Sequence, residues 1–258
     1  MSSLASKATT LLDLHRAPSL LKVVNVWDVI SATVVADVPG TTALATASHS
    51  IAASYGYPDG EKIPVSLMIE AVGRIAAAVS LPVTADLEAG YGNPGETVRR
   101  AIGVGVVGAN IEDQMKPLGE AVAAVEAVLK AGEAEGVDFV LNARTDAFVL
   151  GRDRDPADVL ADAVERGKAF LDAGAPVVFV PGPLDEAAVS TLVEAFGPQR
   201  LSVIGAPGSL PLARLEELGV ARVSYGPFSQ QVALTALQDL AVDVVAGGGL
   251  PEGTRRLN

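Results

Sequence analysis

Short apolar runs alternate with longer segments of helical periodicity along the whole chain. Most of the short runs are continuously apolar and end in polar residues, glycine or proline, which is typical of parallel strands covered on both faces. The predicted strands are Lys22–Trp27, Thr41–Ser48, Leu81–Glu88, Gly108–Asp113, Phe139–Asp146, Pro176–Pro183, Arg200–Pro207 and Arg222–Pro227.

Helix-length segments separate these strands, and several of them begin with recognisable start signals. Asn93-Pro94 and Asp155-Pro156 each place a capping residue before a proline at the first helical position. The predicted helices include Leu4–Leu14, which precedes the first strand, and Pro64–Val79, Pro94–Val104, Leu118–Glu135, Pro156–Ala173 and Asp185–Phe196.

This alternation predicts the α/β class and, within it, a (β/α)8 TIM barrel with an extra N-terminal helix. The alternative is an open doubly wound sheet, which often carries a glycine-rich phosphate-binding turn after its first strand. Here Val26-Trp27-Asp28-Val29 follows the first strand without a glycine, which favours the barrel. The chain of 258 residues has no linker, repeat or low-complexity segment, so we expect residues 1–258 to form a single barrel domain.

Composition narrows the classes of function. The formal net charge of −12 would repel nucleic acid and anionic membrane surfaces. The absence of cysteine removes disulfides, thiolate metal sites and a cysteine nucleophile. The N-terminus lacks a secretory pattern and no stretch resembles a membrane span, so we expect a cytoplasmic protein with neither a membrane nor a nucleic-acid partner.

Carboxylates concentrate at the ends of three adjacent predicted strands, where a barrel places its reactive groups. Asp86 and Glu88 end the third strand, Glu112 ends the fourth, and Arg144 and Asp146 end the fifth. Strand residues two apart share a face. If these residues face the barrel axis, three carboxylates and Arg144 meet in one small volume.

Carboxylates that share a semi-buried pocket must be protonated, paired or bound to a cation. A set of oxygen ligands suits Mg²⁺, with Mn²⁺ possible, whereas neither His15 nor His49 has a paired ligand at a spacing that suits zinc. Arg144 has two interpretations: it neutralises the acids, or its planar fork grips a carboxylate or phosphonate of the substrate.

The connection after the second predicted strand is long and rich in turn residues. It contains Ser48-His49-Ser50 and then Tyr55-Gly56-Tyr57-Pro58-Asp59-Gly60. Asp59 is either a member of the metal shell or of a lid, or an ordinary turn residue.

Four motifs of the chain resemble those of the isocitrate lyase/phosphoenolpyruvate mutase superfamily. They occur in the same order and spacing, and the resemblance extends from about Leu12 to Ser229. The motifs are Gly56-Tyr57-Pro58-Asp59, Asp86-Leu87-Glu88-Ala89-Gly90-Tyr91-Gly92, Asn110-Ile111-Glu112-Asp113 and Ala143-Arg144-Thr145-Asp146-Ala147. The resemblance implies a barrel, Mg²⁺, and a small anionic 2-oxo acid or its enolate bound to the metal and an arginine.

The resemblance also implies roles for individual residues. Metal ligands, direct or through water, would be Asp86, Glu88 and Glu112. Asp59 would support that shell and Arg144 would bind the acidic group, so that the predicted catalytic residues are Arg144, Asp59 and Glu112. Substrate contacts would come from Asp86, from Arg144 and from main-chain N–H groups of Ala47, Ser48 and His49. Homo-oligomers are common in the family, as dimers or as tetramers that exchange a C-terminal helix, for which Phe228–Val245 is the candidate.

The chain departs from the family where the reactions of its members differ. The isocitrate-type lyases use a cysteine in a lid after the fourth strand, where this chain has the short Gln114-Met115-Lys116-Pro117-Leu118-Gly119. The mutases use a lysine and an asparagine in a longer loop at this point, and Lys116 alone does not reproduce that pair. A histidine that often ends the sixth strand is replaced by Pro181.

Three hypotheses of function follow. The first is a Mg²⁺-dependent lyase that cleaves a small 2-oxo carboxylate through a metal-stabilised enolate, like oxaloacetate decarboxylase, with water, Tyr57 or His49 as the proton donor. The second is a phosphonomutase or hydrolase acting on phosphoenolpyruvate or phosphonopyruvate. The third is a non-catalytic protein that binds 2-oxo acids.

Overall fold

A computed structural model describes residues 3–257 and contains one sheet of parallel strands closed into a barrel. The strands are β1 (Leu21–Val23), β2 (Asn25–Val26), β3 (Leu44–Thr46), β4 (Val83–Asp86), β5 (Gly108–Glu112), β6 (Val140–Arg144), β7 (Val177–Phe179), β8 (Leu201–Ile204) and β9 (Arg222–Ser224). The two short strands β1 and β2 are halves of the first predicted strand, interrupted at Val24. Because β1 pairs with β9 and β2 pairs with β3, the sheet closes on itself, and the predicted (β/α)8 barrel is confirmed.

Most strands are shorter than the apolar runs that predicted them. The run Thr41–Ser48 contains only β3, and its last residue, Ser48, already belongs to a helix. Likewise Pro176–Pro183 contains only β7, and the residues after Phe179 line the mouth of the barrel. An apolar run indicates burial, which extends beyond the last hydrogen bond of the ladder because the loops also pack on the core.

The helices surround the barrel and follow their capping signals. They are α1 (Leu4–Arg16), α2 (Val29–Ala36), α3 (Ser48–Ser54), α4 (Val65–Ala78), α5 (Pro94–Gly103), α6 (Leu118–Ala134), α7 (Ala147–Leu150), α8 (Pro156–Asp172), α9 (Glu186–Phe196), α10 (Leu212–Glu217) and α11 (Phe228–Val245). The Asn93 and Asp155 side chains accept hydrogen bonds from the first turns of α5 and α8, as predicted. In the described part of the chain, no helix combines the length and the apolar character needed to cross a membrane.

Helix α1 covers the N-terminal end of the barrel and so leaves the other end open for a site. Leu11 of α1 packs against Gly108 at the start of β5, where a Cβ atom would lie 2.8 Å from both Leu11 Cδ2 and the Val140 carbonyl oxygen. Only glycine permits this close approach. His15, near the end of α1, is also buried, and its Nδ1 lies 2.8 Å from the Leu11 carbonyl oxygen. Burial lowers the pKa of His15 to about 3.

Candidate active site

A cavity of about 850 Å³ opens at the C-terminal end of the barrel. Of the residues predicted for the site, six line this cavity: Ala47, Ser48, His49, Asp59, Asp86 and Arg144. Glu88 and Glu112 are not part of the lining. The structure therefore brings together most of the predicted residues, whereas two of the three predicted metal ligands do not line the cavity.

Asp86 is the last residue of β4 and lines the cavity. Its Oδ2 accepts hydrogen bonds from the main-chain N–H and the hydroxyl of Ser48, at 3.3 and 2.8 Å. Its own N–H donates to the hydroxyl of Thr46 at 3.1 Å. Its Oδ1 is buried and has no hydrogen-bond partner among the described residues. One carboxylate oxygen is thus anchored, and the other remains available to a ligand.

The argument from strand spacing applies as far as Asp86 and does not extend to Glu88. The strand ends at Asp86, and Glu88 adopts a left-handed backbone conformation with φ of 54°. The alternation of side chains therefore stops before Glu88 is reached. Its buried carboxylate accepts hydrogen bonds from the Tyr91 hydroxyl, at 2.9 Å, and from the Glu61 main-chain N–H.

Glu88 nevertheless remains within the electrostatic reach of the other carboxylates. Burial raises its pKa, and the negative charges of Asp59 and Asp86 raise it further. The negative charges of Asp59, Asp86 and Glu88 thus repel one another, as expected for a site that a cation would stabilise.

Arg144 lies between two carboxylates at the end of β6. Its Nη1 is 2.8 Å from Glu112 Oε2, and its Nε is 2.7 Å from Asp146 Oδ1. Burial raises the pKa of Glu112 to about 8, although the charge of Arg144 opposes this shift. Arg144 neutralises these acids and also lines the cavity, so the geometry accommodates both roles predicted for it.

Two residues near the site escaped the sequence analysis as contributors. Glu61 follows Gly60 in the long loop after β3, with φ of 61°, and its carboxylate accepts the main-chain N–H of Tyr91. Glu61 and Tyr91 therefore connect that loop to the segment after β4 and hold Glu88 between them. Tyr91 belongs to a motif that the sequence analysis identified. Its contact with Glu61, 30 residues away in the chain, could not be predicted from that motif.

Arg222 is the other unpredicted feature. It opens β9, faces the barrel interior and is only 1% exposed, and its three guanidinium nitrogens have no hydrogen-bond partner within residues 3–257. Burial lowers its pKa to about 10, and the negative charge of Asp86 opposes that shift. An arginine at the start of a predicted strand resembles a surface residue, so no sequence pattern marks this position.

The segment between β5 and α6 is short and tightly held. Asp113 accepts hydrogen bonds from the N–H groups of Met115 and Asp146, both at 3.0 Å, and forms an ion pair with Arg166, also at 3.0 Å. Arg166 donates in addition to the Lys116 carbonyl oxygen at 2.9 Å. This segment, where the family resemblance would place a lid, is therefore fastened to α8.

The donor set suits a hard divalent cation that retains most of its water. Within residues 3–257, no three acidic or histidine side chains lie close enough together to hold an ion by themselves. Asp86 does offer an unpaired buried oxygen, and Asp59 lines the same cavity. Mg²⁺ is commonly bound through one or two carboxylates, with waters and substrate oxygens in the remaining positions. The residues present therefore fit Mg²⁺, and the assignment of individual ligands remains a prediction.

Comparisons with known proteins indicate the family of this chain. The family model described as phosphoenolpyruvate phosphomutase matches residues 11–245. The chain is 31% identical to 2,3-dimethylmalate lyase of Eubacterium barkeri over 73% of this chain and 69% of that protein. It is 30% identical to oxaloacetate decarboxylase of Paraburkholderia xenovorans over 88% of this chain and 78% of the relative.

A solved structure gives a similar result. Phosphoenolpyruvate phosphomutase from Streptomyces platensis subsp. rosaceus superposes with a TM-score of 0.81 at 25% identity, covering 93% of this chain and 88% of the other. The relatives thus include both lyases and a mutase on the same barrel.

Proposed function

The chain belongs to the phosphoenolpyruvate phosphomutase family, within the isocitrate lyase/phosphoenolpyruvate mutase superfamily, as its motifs predicted, and on this premise we propose that it is a Mg²⁺-dependent lyase. It would cleave a carbon–carbon bond next to the carbonyl of a small 2-oxo carboxylate, as an oxaloacetate decarboxylase does. The observation that carries this proposal is the unpaired, buried Oδ1 of Asp86 in a cavity that Arg144 also lines.

In this proposal the carboxylates divide the work of holding Mg²⁺. Asp86 would contact the ion directly. Glu88, Glu112 and Asp59 would bind its water ligands, since Glu88 and Glu112 do not line the cavity. The ion would supply Lewis-acid stabilisation of the negative charge that develops on the carbonyl oxygen.

The start of α3 supplies donors for the substrate carboxylate. Ile51 donates its N–H to the Ala47 carbonyl oxygen, so the preceding amides have no partner within the helix. Ser48 already donates to Asp86. The amide of His49 would then serve the substrate, beside the guanidinium of Arg144, whose planar fork suits a carboxylate.

The reaction needs no strong acid at the bond that breaks. In oxaloacetate the bond between C3 and C4 breaks, its electron pair moves toward C3 and the C2 carbonyl oxygen, and carbon dioxide leaves. A proton then adds to C3 and pyruvate results. Water or His49 would supply this proton; His49 lines the cavity and Tyr57 does not, which favours His49 between the two side chains.

A direct assay tests the proposal. Purified protein with Mg²⁺ should release pyruvate from oxaloacetate or a close analogue, should lose this activity with a chelator, and should regain it when Mg²⁺ is restored. Asp86→Ala should be inactive under all three conditions. An absence of turnover across a panel of 2-oxo acids and phosphonates would contradict the proposal.

A phosphonomutase or hydrolase is the second candidate, and the mutase fold neighbour favours it. Two features argue against it. Lys116 is the single lysine between β5 and α6, and its carbonyl oxygen is bonded to Arg166. Pro181 stands where the family resemblance implies a histidine. Phosphorus NMR of a reaction with phosphonopyruvate distinguishes the candidates, because only the second predicts cleavage or formation of a phosphorus–carbon bond. Tight binding of oxalate without any turnover would instead indicate a binding protein.

We also propose that the chain assembles through α11. The start of this helix is fastened to the barrel, because Ser229 and Gln230 donate to Asn25 and to α3. Beyond it the helix exposes large apolar side chains: Val232, Leu234, Leu237, Val242 and Val245. Such a surface is typical of an interface between subunits. Light scattering should give a dimer or tetramer that Leu237→Glu weakens, and a monomer at about ten micromolar would contradict this.

A further inference from the structure

The cavity has two ends with opposite chemistry. One end, here called the acidic end, is formed after β3 to β6 and contains Asp59, Asp86, Asn110 and Arg144. The other, here called the apolar end, is formed after β6 to β9. Its main side chains are Val149, Phe179, Pro181, Leu184, Ile204 and Phe228. From this division we propose that the substrate carries an apolar substituent of several carbons on its 2-oxo acid head.

The size of the cavity supports a substrate larger than pyruvate or oxaloacetate. The cavity measures about 850 Å³. Pyruvate would fill only roughly 180 Å³ of it, taking about 30 Å³ for each heavy atom as for a water molecule. The acidic end suffices for such a head group, and the apolar end would then hold only water against aliphatic and aromatic side chains, which is unfavourable.

Four prolines reduce the number of main-chain donors at the apolar end. Pro181, Pro183, Pro207 and Pro227 all line the cavity, and proline has no N–H. A carboxylate or phosphonate that entered this end would lose its hydration and find few charged donors there, which is costly. A hydrocarbon group incurs no such cost.

Two charged side chains line this part of the cavity and do not change the conclusion. Asp185 accepts a hydrogen bond from the Ala188 N–H at 2.8 Å and so caps α9, and its negative charge disfavours a second anion. Arg152 is exposed, so its charge is screened by water, and it is the one group that could attract a second carboxylate. The test therefore includes a substrate with that carboxylate.

The experiment measures binding rather than turnover, because the inference rests on the proposed function for the head group alone. Calorimetry with Mg²⁺ present compares pyruvate, 2-oxobutanoate, 2-oxopentanoate and 2-oxohexanoate. We expect the affinity to rise about fourfold with each methylene, the factor that corresponds to burying one CH₂ group. 2-Oxoglutarate has the length of 2-oxopentanoate but ends in a carboxylate, and we expect it to bind more weakly.

A variant with a matched control locates the effect. Ile204→Asn should flatten the rise along the series and leave the affinity for pyruvate within about twofold. Ile30→Asn makes the same change at an exposed position outside the cavity, and should keep the rise.

Each other outcome has a definite meaning. A flat or falling series in the unaltered protein, or tighter binding of 2-oxoglutarate than of 2-oxopentanoate, would overturn the inference and leave the proposed lyase standing. A rise that survives in Ile204→Asn would overturn the assignment to the apolar end. If no acid of the series binds, pyruvate included, the proposed function fails, and the inference fails with it.

Discussion

The two ends of the cavity occupy equivalent positions in the barrel yet are built differently. The acidic end consists of side chains that bond to one another: Asp86 to Ser48, Arg144 to Glu112 and Asp146, and Glu88 to Tyr91. The apolar side chains and prolines of the apolar end have no side-chain hydrogen bonds to one another. Because linked groups respond together, a change in the acidic end should affect the whole site, whereas changes in the apolar end should be local and roughly additive.

The largest effect is expected from replacing aspartate by asparagine at the acidic end, and the same replacement at the apolar end serves as the control. Asp86→Asn removes the charge next to the unpaired oxygen and should reduce kcat/KM at least about 100-fold, because the loss of one electrostatic stabiliser has that magnitude. The thermal stabilisation by Mg²⁺ should disappear as well. Asp185→Asn is the matched control, because asparagine caps a helix as well as aspartate does.

For Asp185→Asn we expect kcat/KM within about threefold of the unaltered protein. Steady-state kinetics and thermal unfolding with and without Mg²⁺ measure both effects. Equal losses in the two variants would show that the ends do not differ in the way proposed.

The next effect separates the two roles of Arg144. Arg144→Lys retains the charge but loses the planar fork, and should lower kcat/KM roughly 10- to 100-fold if the fork binds substrate. Arg144→Gln should also destabilise the protein by about 3–5 kcal/mol, because it leaves the buried carboxylate of Asp146 without its charged partner and removes the contact with Glu112.

The double variant Arg144→Gln/Glu112→Gln tests whether the loss of stability arises from the acidic partner of Arg144. The double variant should recover part of the stability and none of the activity. Urea unfolding and steady-state kinetics provide both readouts. Full activity in Arg144→Lys would indicate that this arginine only neutralises the acids.

A smaller effect concerns the dependence of stability on pH. Burial raises the pKa of Glu112 to about 8, whereas a glutamate in an unfolded chain titrates near about 4.3. Between these pH values the folded protein retains a proton that the unfolded chain has released. The free energy of unfolding of the metal-free protein should therefore fall as the pH rises through this window, by at most about 1.4 kcal/mol per pH unit.

Urea unfolding in the presence of a chelator, at several pH values from 5 to 8, measures this slope. Glu112→Gln should remove that part of it, and identical slopes in the two proteins would contradict the assignment.

The smallest effect comes from making the apolar end polar. Pro181→His introduces the residue that often stands at this position in the family. We expect the preference for 2-oxohexanoate over pyruvate to fall roughly fivefold, which corresponds to losing the burial of slightly more than one methylene at about 0.8 kcal/mol. Calorimetry checks the ratio of the two dissociation constants, and an unchanged ratio would mean that the chain of the ligand does not reach Pro181.

Much of the barrel could be predicted because each element carries its own signal. Helix α11 begins and ends at the predicted residues, and Asn93 and Asp155 cap α5 and α8 as their sequence indicates. Strand ends were less well predicted, since an apolar run does not show where the ladder stops. Motifs in their order and spacing were enough to indicate the family, which the comparisons confirm.

The sequence by itself determined the fold class, the family and the set of acidic residues at the strand ends, because these depend on local periodicity and on short motifs. Only the tertiary structure decided how those residues are arranged. Glu88 adopts a left-handed conformation after β4, and Arg144 pairs with Glu112. Arg222 is buried inside the barrel, where its guanidinium has no hydrogen-bond partner among residues 3–257. The loops after β6 to β9 meet to form an apolar end that no single motif encodes. Such contacts join residues far apart in the chain, and strand periodicity fixes side-chain direction only as far as the strand extends.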